Sequence, residues 1–87
     1  MKILKFGASW CSPCKALKEN LKGFDKCEIF DFDADINPEI FEKYGIRKLP
    51  TLLFVDDEGE EIKRLVGGLS KERLEEEFDY VVNERNT

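Results

Sequence analysis

Histidine is absent from the 87 residues. That gap removes imidazole acid–base catalysis, the Cys–His nucleophile pair and histidine-ligated zinc. Cysteine is scarce, and three residues cannot all pair off as in a small disulfide-framed secreted scaffold. No apolar run approaches the roughly 20 residues that a helix needs to cross a bilayer. The apolar stretch within residues 1–7 is too short for a secretory core of about 7–15 residues, which points to a cytosolic protein. Positive charge is also in deficit. Fourteen Lys and Arg against nineteen Asp and Glu leave a net charge of −5, the opposite of the basic face expected of a nucleic-acid binder. No internal repeat, low-complexity stretch or linker is visible. Residues 1–87 therefore read as a single domain.

What is present alternates in type. Residues 2–8 read as a strand with apolar groups on both sides and one discordant residue, Lys5. A helix opens at about Ser12 or Pro13, with Cys14, Leu17, Leu21 and Phe24 on one face and Gly23 as its stop. Residues 28–34 form a second strand, with Ile29, Asp31 and Asp33 on one face and Phe30, Phe32 and Ala34 on the other. Asn37-Pro38 starts a helix that ends at Gly45. Residues 51–55 and 60–66 make a hairpin through Asp56-Asp57-Glu58-Gly59. Ser70 caps a last helix whose apolar face is Leu74, Phe78, Val81 and Val82, with Glu75-Glu76-Glu77 as its solvated side. The order β-α-β-α-β-β-α predicts an α/β fold. Its sheet is mixed and four-stranded, with a parallel pair, an antiparallel hairpin and helices on both faces.

The chemistry concentrates at Cys11-Ser12-Pro13-Cys14, which follows a strand and opens a helix. The first cysteine meets unpaired N–H groups and the positive end of the helix dipole, and both favour a thiolate, the nucleophile of disulfide exchange. The second thiol, two residues further on, lies within reach of the first sulfur. A zinc site needs four N or S ligands, and Cys27 is the only further soft ligand, so a structural zinc site within one chain is disfavoured. A cluster shared between two chains stays open. A purely structural disulfide does not suit a cytosolic protein.

Three stretches carry a family resemblance. Phe6-Gly7-Ala8-Ser9-Trp10-Cys11-Ser12-Pro13-Cys14-Lys15 resembles the active-site signature of the thioredoxin family. The stretch from Tyr44 to Phe54, with Leu49-Pro50-Thr51, resembles the second signature, and Val66-Gly67-Gly68-Leu69-Ser70-Lys71 resembles the third. They occur in order and span nearly the whole chain. The resemblance implies a minimal, glutaredoxin-sized thioredoxin-like fold, without the extra N-terminal strand and helix of full thioredoxins. It also implies a reductase of protein disulfides, monomeric, with no bound cofactor and no metal. A thioredoxin reductase using NADPH would supply its electrons in the cytoplasm, with disulfide-containing proteins as partners and neither membrane nor nucleic acid involved.

By the same resemblance Cys11 is the nucleophile and Cys14 the resolving thiol. Trp10, Ser12, Pro13, Leu49, Pro50, Gly67 and Gly68 line the substrate groove. Pro50 matches a proline whose preceding bond is cis, which would turn the Leu49 backbone toward an extended substrate segment. Gly67 and Gly68 would let a partner approach closely; their plainer reading is the end of a strand. Ser12 departs from the usual glycine, which leaves the potential open, and Lys15 adds positive charge near the site. Thioredoxins commonly carry a buried Asp where this chain has Lys5, and its Lys partner where this chain has Asp31. The expectation is a charge-exchanged pair across adjacent strands behind Cys14, with Lys5 favouring its thiolate and Asp31 accepting a proton. The plainer reading sends Lys5 to solvent. Cys27 has no role in this scheme. Two other functions remain: a glutathione-coupled, glutaredoxin-like reductase, and a thioredoxin-like subunit without redox turnover.

Overall fold

A strand that carries Ile3, Leu4 and Phe6 shows apolar groups to both faces and must be covered on both. The computed structural model, which describes residues 1–86, meets this demand by placing β1 (Lys2–Gly7) inside a sheet. The elements that follow are α1 (Ser12–Asn20), β2 (Ile29–Asp33), α2 (Pro38–Tyr44), β3 (Thr51–Val55), β4 (Glu61–Val66) and α3 (Lys71–Arg85). The four strands lie in the order β2-β1-β3-β4. β1 runs parallel to β2 and antiparallel to β3, and β3 and β4 form the antiparallel hairpin.

The two faces bury separate cores. On one, Ile3, Leu52 and Phe54 pack with Leu17 and Leu21 from the α1 side and with Leu74 and Val81 of α3. On the other, Leu4, Phe6, Leu53 and Val55 pack with Phe41 of α2. All five residues of β3 are buried, as befits a strand covered on both faces. Phe6 is wholly buried, with its ring 5.0 Å from that of Phe41 and 5.7 Å from that of Phe32.

Several ends differ in detail from the sequence reading. α1 stops at Asn20 rather than running to Gly23. Tight turns, with Lys22 N–H bonded to Glu19 O and Phe24 N–H to Leu21 O, peel the chain away so that Phe24 meets Phe78 of α3 edge-on. Asn37 precedes α2 without capping it: its Oδ1 accepts from Asp33 N–H instead. Gly45 closes α2 in the left-handed conformation, at φ 63°. Arg64 of β4 donates to the free carbonyls of Tyr44 and Gly45, tying that helix end to the sheet edge. Ser70 caps α3 by accepting from Arg73 N–H. Glu77 is not solvated as the sequence suggested. Its side chain is 15% exposed and pairs with Lys63 and Arg73, because that side of α3 faces β4.

Phe6→Ala removes the ring that joins β1 to α2, with an expected cost of about 3–5 kcal/mol. Urea unfolding checks this: the midpoint should fall with an unchanged slope, and a loss under about 1 kcal/mol would refute the packing described.

Candidate active site

β1, an interior strand, delivers the chain from its C-terminal end to the start of α1. Cys11 N–H bonds to Ala8 O, which turns the chain into the helix. Cys11 is itself the N-cap of α1, and its Sγ accepts from Cys14 N–H at 3.3 Å. No acidic residue lies in the first turn, so nothing there opposes a negative sulfur. Cys11 and Cys14 form a disulfide, with Cα atoms 5.3 Å apart. Cys11 is 7% exposed, while Cys14 is the more open of the two. Ser12 and Pro13 stand exposed on the first turn.

The Leu49–Pro50 bond is cis. Pro50 is buried, Leu49 half-buried, and Pro50 shares a cavity with Cys14. Gly67 N–H donates to Pro50 O at 2.8 Å, which draws the end of β4 onto the proline. Gly67 holds φ at 96°, a conformation that favours glycine. A side chain at Gly67 or Gly68 would meet open space, so both the strand-end reading and the groove reading fit here.

Trp10 is 66% exposed and is held by its indole N–H, which donates to Asp35 Oδ2 at 3.2 Å. Behind it, Asp33 accepts from Ser9 N–H through Oδ2 and from Asp35 N–H through Oδ1. Asp33 and Asp35 were not singled out for this role, nor was Asn37, which binds Asp33 N–H. The sequence signal was the density of Asp and Asn after the second strand, where short polar side chains bind nearby backbone. Gly7 was also missed. A Cβ there would stand 3.3 Å from Cys14 Sγ, so the glycine makes room for that sulfur.

Lys5 and Asp31 are direct partners in the β1–β2 register, and Lys5 Nζ lies 2.9 Å from Asp31 Oδ1. The pair is not sealed in the interior. The Lys5 side chain is 14% exposed and that of Asp31 69%, because β2 is an edge strand. Both line the cavity that Cys14 lines.

A family model described as a thioredoxin-like domain matches residues 2–82. A thioredoxin of Staphylococcus epidermidis is 39% identical over 84 residues, covering 91% of this chain and 80% of that protein. The thioredoxin of Bacillus subtilis strain 168 is 41% identical over 79 residues, 85% of this chain and 75% of that protein. The chain belongs to the thioredoxin family. Among solved structures, Fasciola hepatica thioredoxin superposes with a TM-score of 0.80 at 29% identity, covering 91% of this chain and 78% of that one.

With its Cys-x-x-Cys pair closed as a disulfide, this thioredoxin-family protein is a thiol–disulfide oxidoreductase acting on protein disulfides. The redox group is the disulfide itself, and the family needs no bound cofactor. No helix among the described residues is long and apolar enough to cross a membrane.

Cys27 lies apart from the site, half-buried against the core under α1 and α3. Burial pushes its thiol above the ordinary 9.0. A raised value in the folded state favours folding while the thiol stays protonated, and this contribution is lost as pH rises through the folded value. In the oxidised protein, stability between about pH 8 and pH 10 should therefore fall more steeply than in Cys27→Ala. Denaturant midpoints measured across that range check this, and parallel curves would refute it.

Proposed function

We propose that the protein works as a reductant of disulfides in other proteins, with Cys11 as nucleophile and Cys14 as resolving thiol. The observation that carries this is the position of Cys11. It caps a helix N-terminus, and the Cys14 N–H points at its sulfur. In the dithiol form the Cys11 thiolate attacks one sulfur of the target disulfide, and the other target sulfur leaves as a thiolate. Cys14, deprotonated, then attacks Cys11 Sγ. The second target sulfur leaves, the Cys11–Cys14 bond closes, and two electrons have passed to the target.

Trp10, Ser12, Pro13, Leu49, Pro50, Gly67 and Gly68 form the surface that receives the target segment. The exposed indole, the open space at the two glycines and the Gly67–Pro50 hydrogen bond support this reading. The Leu49 backbone offers hydrogen bonds to an extended strand. A reductase drawing on NADPH restores the dithiol. The protein acts as a monomer in the cytoplasm, and no role involves nucleic acid or membrane.

Lys5 and Asp31 serve the resolving step. The Lys5 ammonium, facing the Cys14 cavity, favours the Cys14 thiolate over the thiol. Asp31 balances the charge of the lysine. With Lys5 changed to Met, the resolving step should slow about tenfold near neutral pH and its pH profile should move upward. Asp31→Asn leaves a largely buried ammonium without its counter-charge and should alter the same profile. Stopped-flow measurement of mixed-disulfide decay reads both, and two unchanged profiles would end the role of the pair.

The assignment of the two cysteines is tested by trapping. Cys14→Ser should accumulate mixed disulfides with oxidised proteins through Cys11, and Cys11→Ser should accumulate none. The reverse pattern would exchange the two roles.

A further inference from the structure

Five large hydrophobic side chains stand exposed among the described residues: Trp10, Phe30, Ile36, Val66 and Tyr80. Phe30, opposite Leu4 in mid-sheet, and Tyr80, in the second half of α3, each have a lysine laid over the ring. Lys2 Nζ is 5.7 Å from the Phe30 centroid, and Lys63 Nζ is 5.1 Å from that of Tyr80. The other three gather at one end of the sheet. The strand order and registers set Ile36 after the end of β2, Trp10 after the end of β1, Pro50 before the start of β3 and Val66 at the end of β4. Neighbouring strands lie about 5 Å apart, so these residues form one row across the site.

Ile36 is the most exposed of the five, at 75%. It does not take the structural role open to it. It directly precedes Asn37, the residue before α2, and an apolar residue there often packs against the fourth residue of the helix, here Phe41. Phe41 is buried beneath α2, yet Ile36 belongs to neither hydrophobic cluster. Its backbone is nonetheless held: Ile36 N–H donates to Asp33 O at 3.1 Å, and Asn37 N–H donates to the same oxygen at 2.7 Å. The preceding residue, Asp35, holds the Trp10 indole. Ile36 also lines the cavity that Cys14 and Pro50 line, which places it on the disulfide side of its loop. An exposed aliphatic group on a fixed backbone beside Trp10 costs little ordering when a partner covers it.

We propose that Ile36 is a specificity-determining contact for protein targets. It selects disulfides whose reactive cysteine lies within about three residues of an apolar side chain. The inference rests on the reading of Cys11 as nucleophile toward protein disulfides. It extends the target surface, drawn from the ends of β1, β3 and β4, to the end of β2. Three residues of extended chain reach about 10 Å, or two strand spacings, so a target chain joined to Cys11 reaches Ile36. An apolar target side chain laid on Ile36 removes aliphatic surface from water as the mixed disulfide forms, which raises kcat/KM for that target over one with a polar residue there. A target with no apolar neighbour to its cysteine gains nothing from Ile36.

The test uses the full chain as its dithiol, with Cys27→Ala to remove the third thiol. The substrates are Ser/Gly peptides whose central cysteine is held as a mixed disulfide with 5-thio-2-nitrobenzoate. One leucine is placed in turn at each position from three before to three after the cysteine, and a parent peptide has none. The Cys11 thiolate bonds to the peptide sulfur, the peptide's disulfide breaks, and 5-thio-2-nitrobenzoate leaves as a coloured thiolate. Cys14 then attacks Cys11 Sγ, closes the protein disulfide and releases the peptide thiol. Stopped flow reads the colour. At least one leucine position should react about five- to tenfold faster than the parent peptide. In Ile36→Ser that ratio should fall to near one, and Ile36→Leu should restore it. The ratio is taken within each variant, so a general loss of reactivity cancels. No leucine advantage at any position would overturn the proposal. So would an advantage that survives Ile36→Ser, or a loss that Ile36→Leu does not restore. With colour still released, each of these results ends this inference alone. A dithiol chain that releases colour from no peptide would end the redox reading as well.

Discussion

Everything at the site depends on β1 being held between β2 and β3 in one register. On one side the register sets Lys5 against Asp31 and Gly7 against Asp33; on the other it sets Phe6 against Thr51. The first side brings a charge pair and the Trp10-supporting loop to the end of β1. The second brings Pro50 there. A slip of one residue would turn Phe6 out of its core and Lys5 into it, so the two hydrophobic clusters lock the register and the chemistry follows.

From that point electrostatics does most of the work. Cys11 sits where a helix begins, with a backbone N–H aimed at its sulfur and no carboxylate in the first turn. The nearby carboxylates are kept occupied. Asp33 binds loop N–H groups, Asp35 holds the indole of Trp10, and Asp31 pairs with Lys5. Lys5, Lys15 and Lys18 offset the charges of Asp31 and Asp33 on the cavity wall, so a strongly acidic chain presents no negative surplus beside its disulfide. The same loop bonds fix Trp10, so the exposed aromatic is a formed surface beside Cys11 and does not depend on a partner for its position.

Much of this was legible in the sequence. The third strand was read residue for residue, because an unbroken run of five sheet-forming residues between Pro50 and Asp56 leaves little freedom. The cysteine pair was legible because its position between a strand and a helix carries the chemistry. The cross-strand partnership of Lys5 and Asp31 came from the family resemblance, whose charged pair falls on these two positions, and the β1–β2 register sets them opposite each other. What escaped was choice among equivalents. Asn37 had several backbone donors within reach, and only the folded loop selects Asp33 N–H. Glu77 looked like its neighbours until α3 was set against Lys63. The exposure of Asp31 followed from β2 being an edge, which depends on the whole sheet order. The room at Cys14 Sγ depends on Gly7, a residue whose contribution is the space it leaves.

The central claim is that this disulfide belongs to a reductant. Its equilibrium midpoint tests that claim most directly, measured by equilibration in graded dithiol buffers, alkylation of free thiols and mass spectrometry of the Cys11–Cys14 pair. The account predicts a midpoint near or below about −250 mV. A midpoint above about −200 mV would contradict it and mark a protein that donates disulfides or draws its electrons from a weaker reductant.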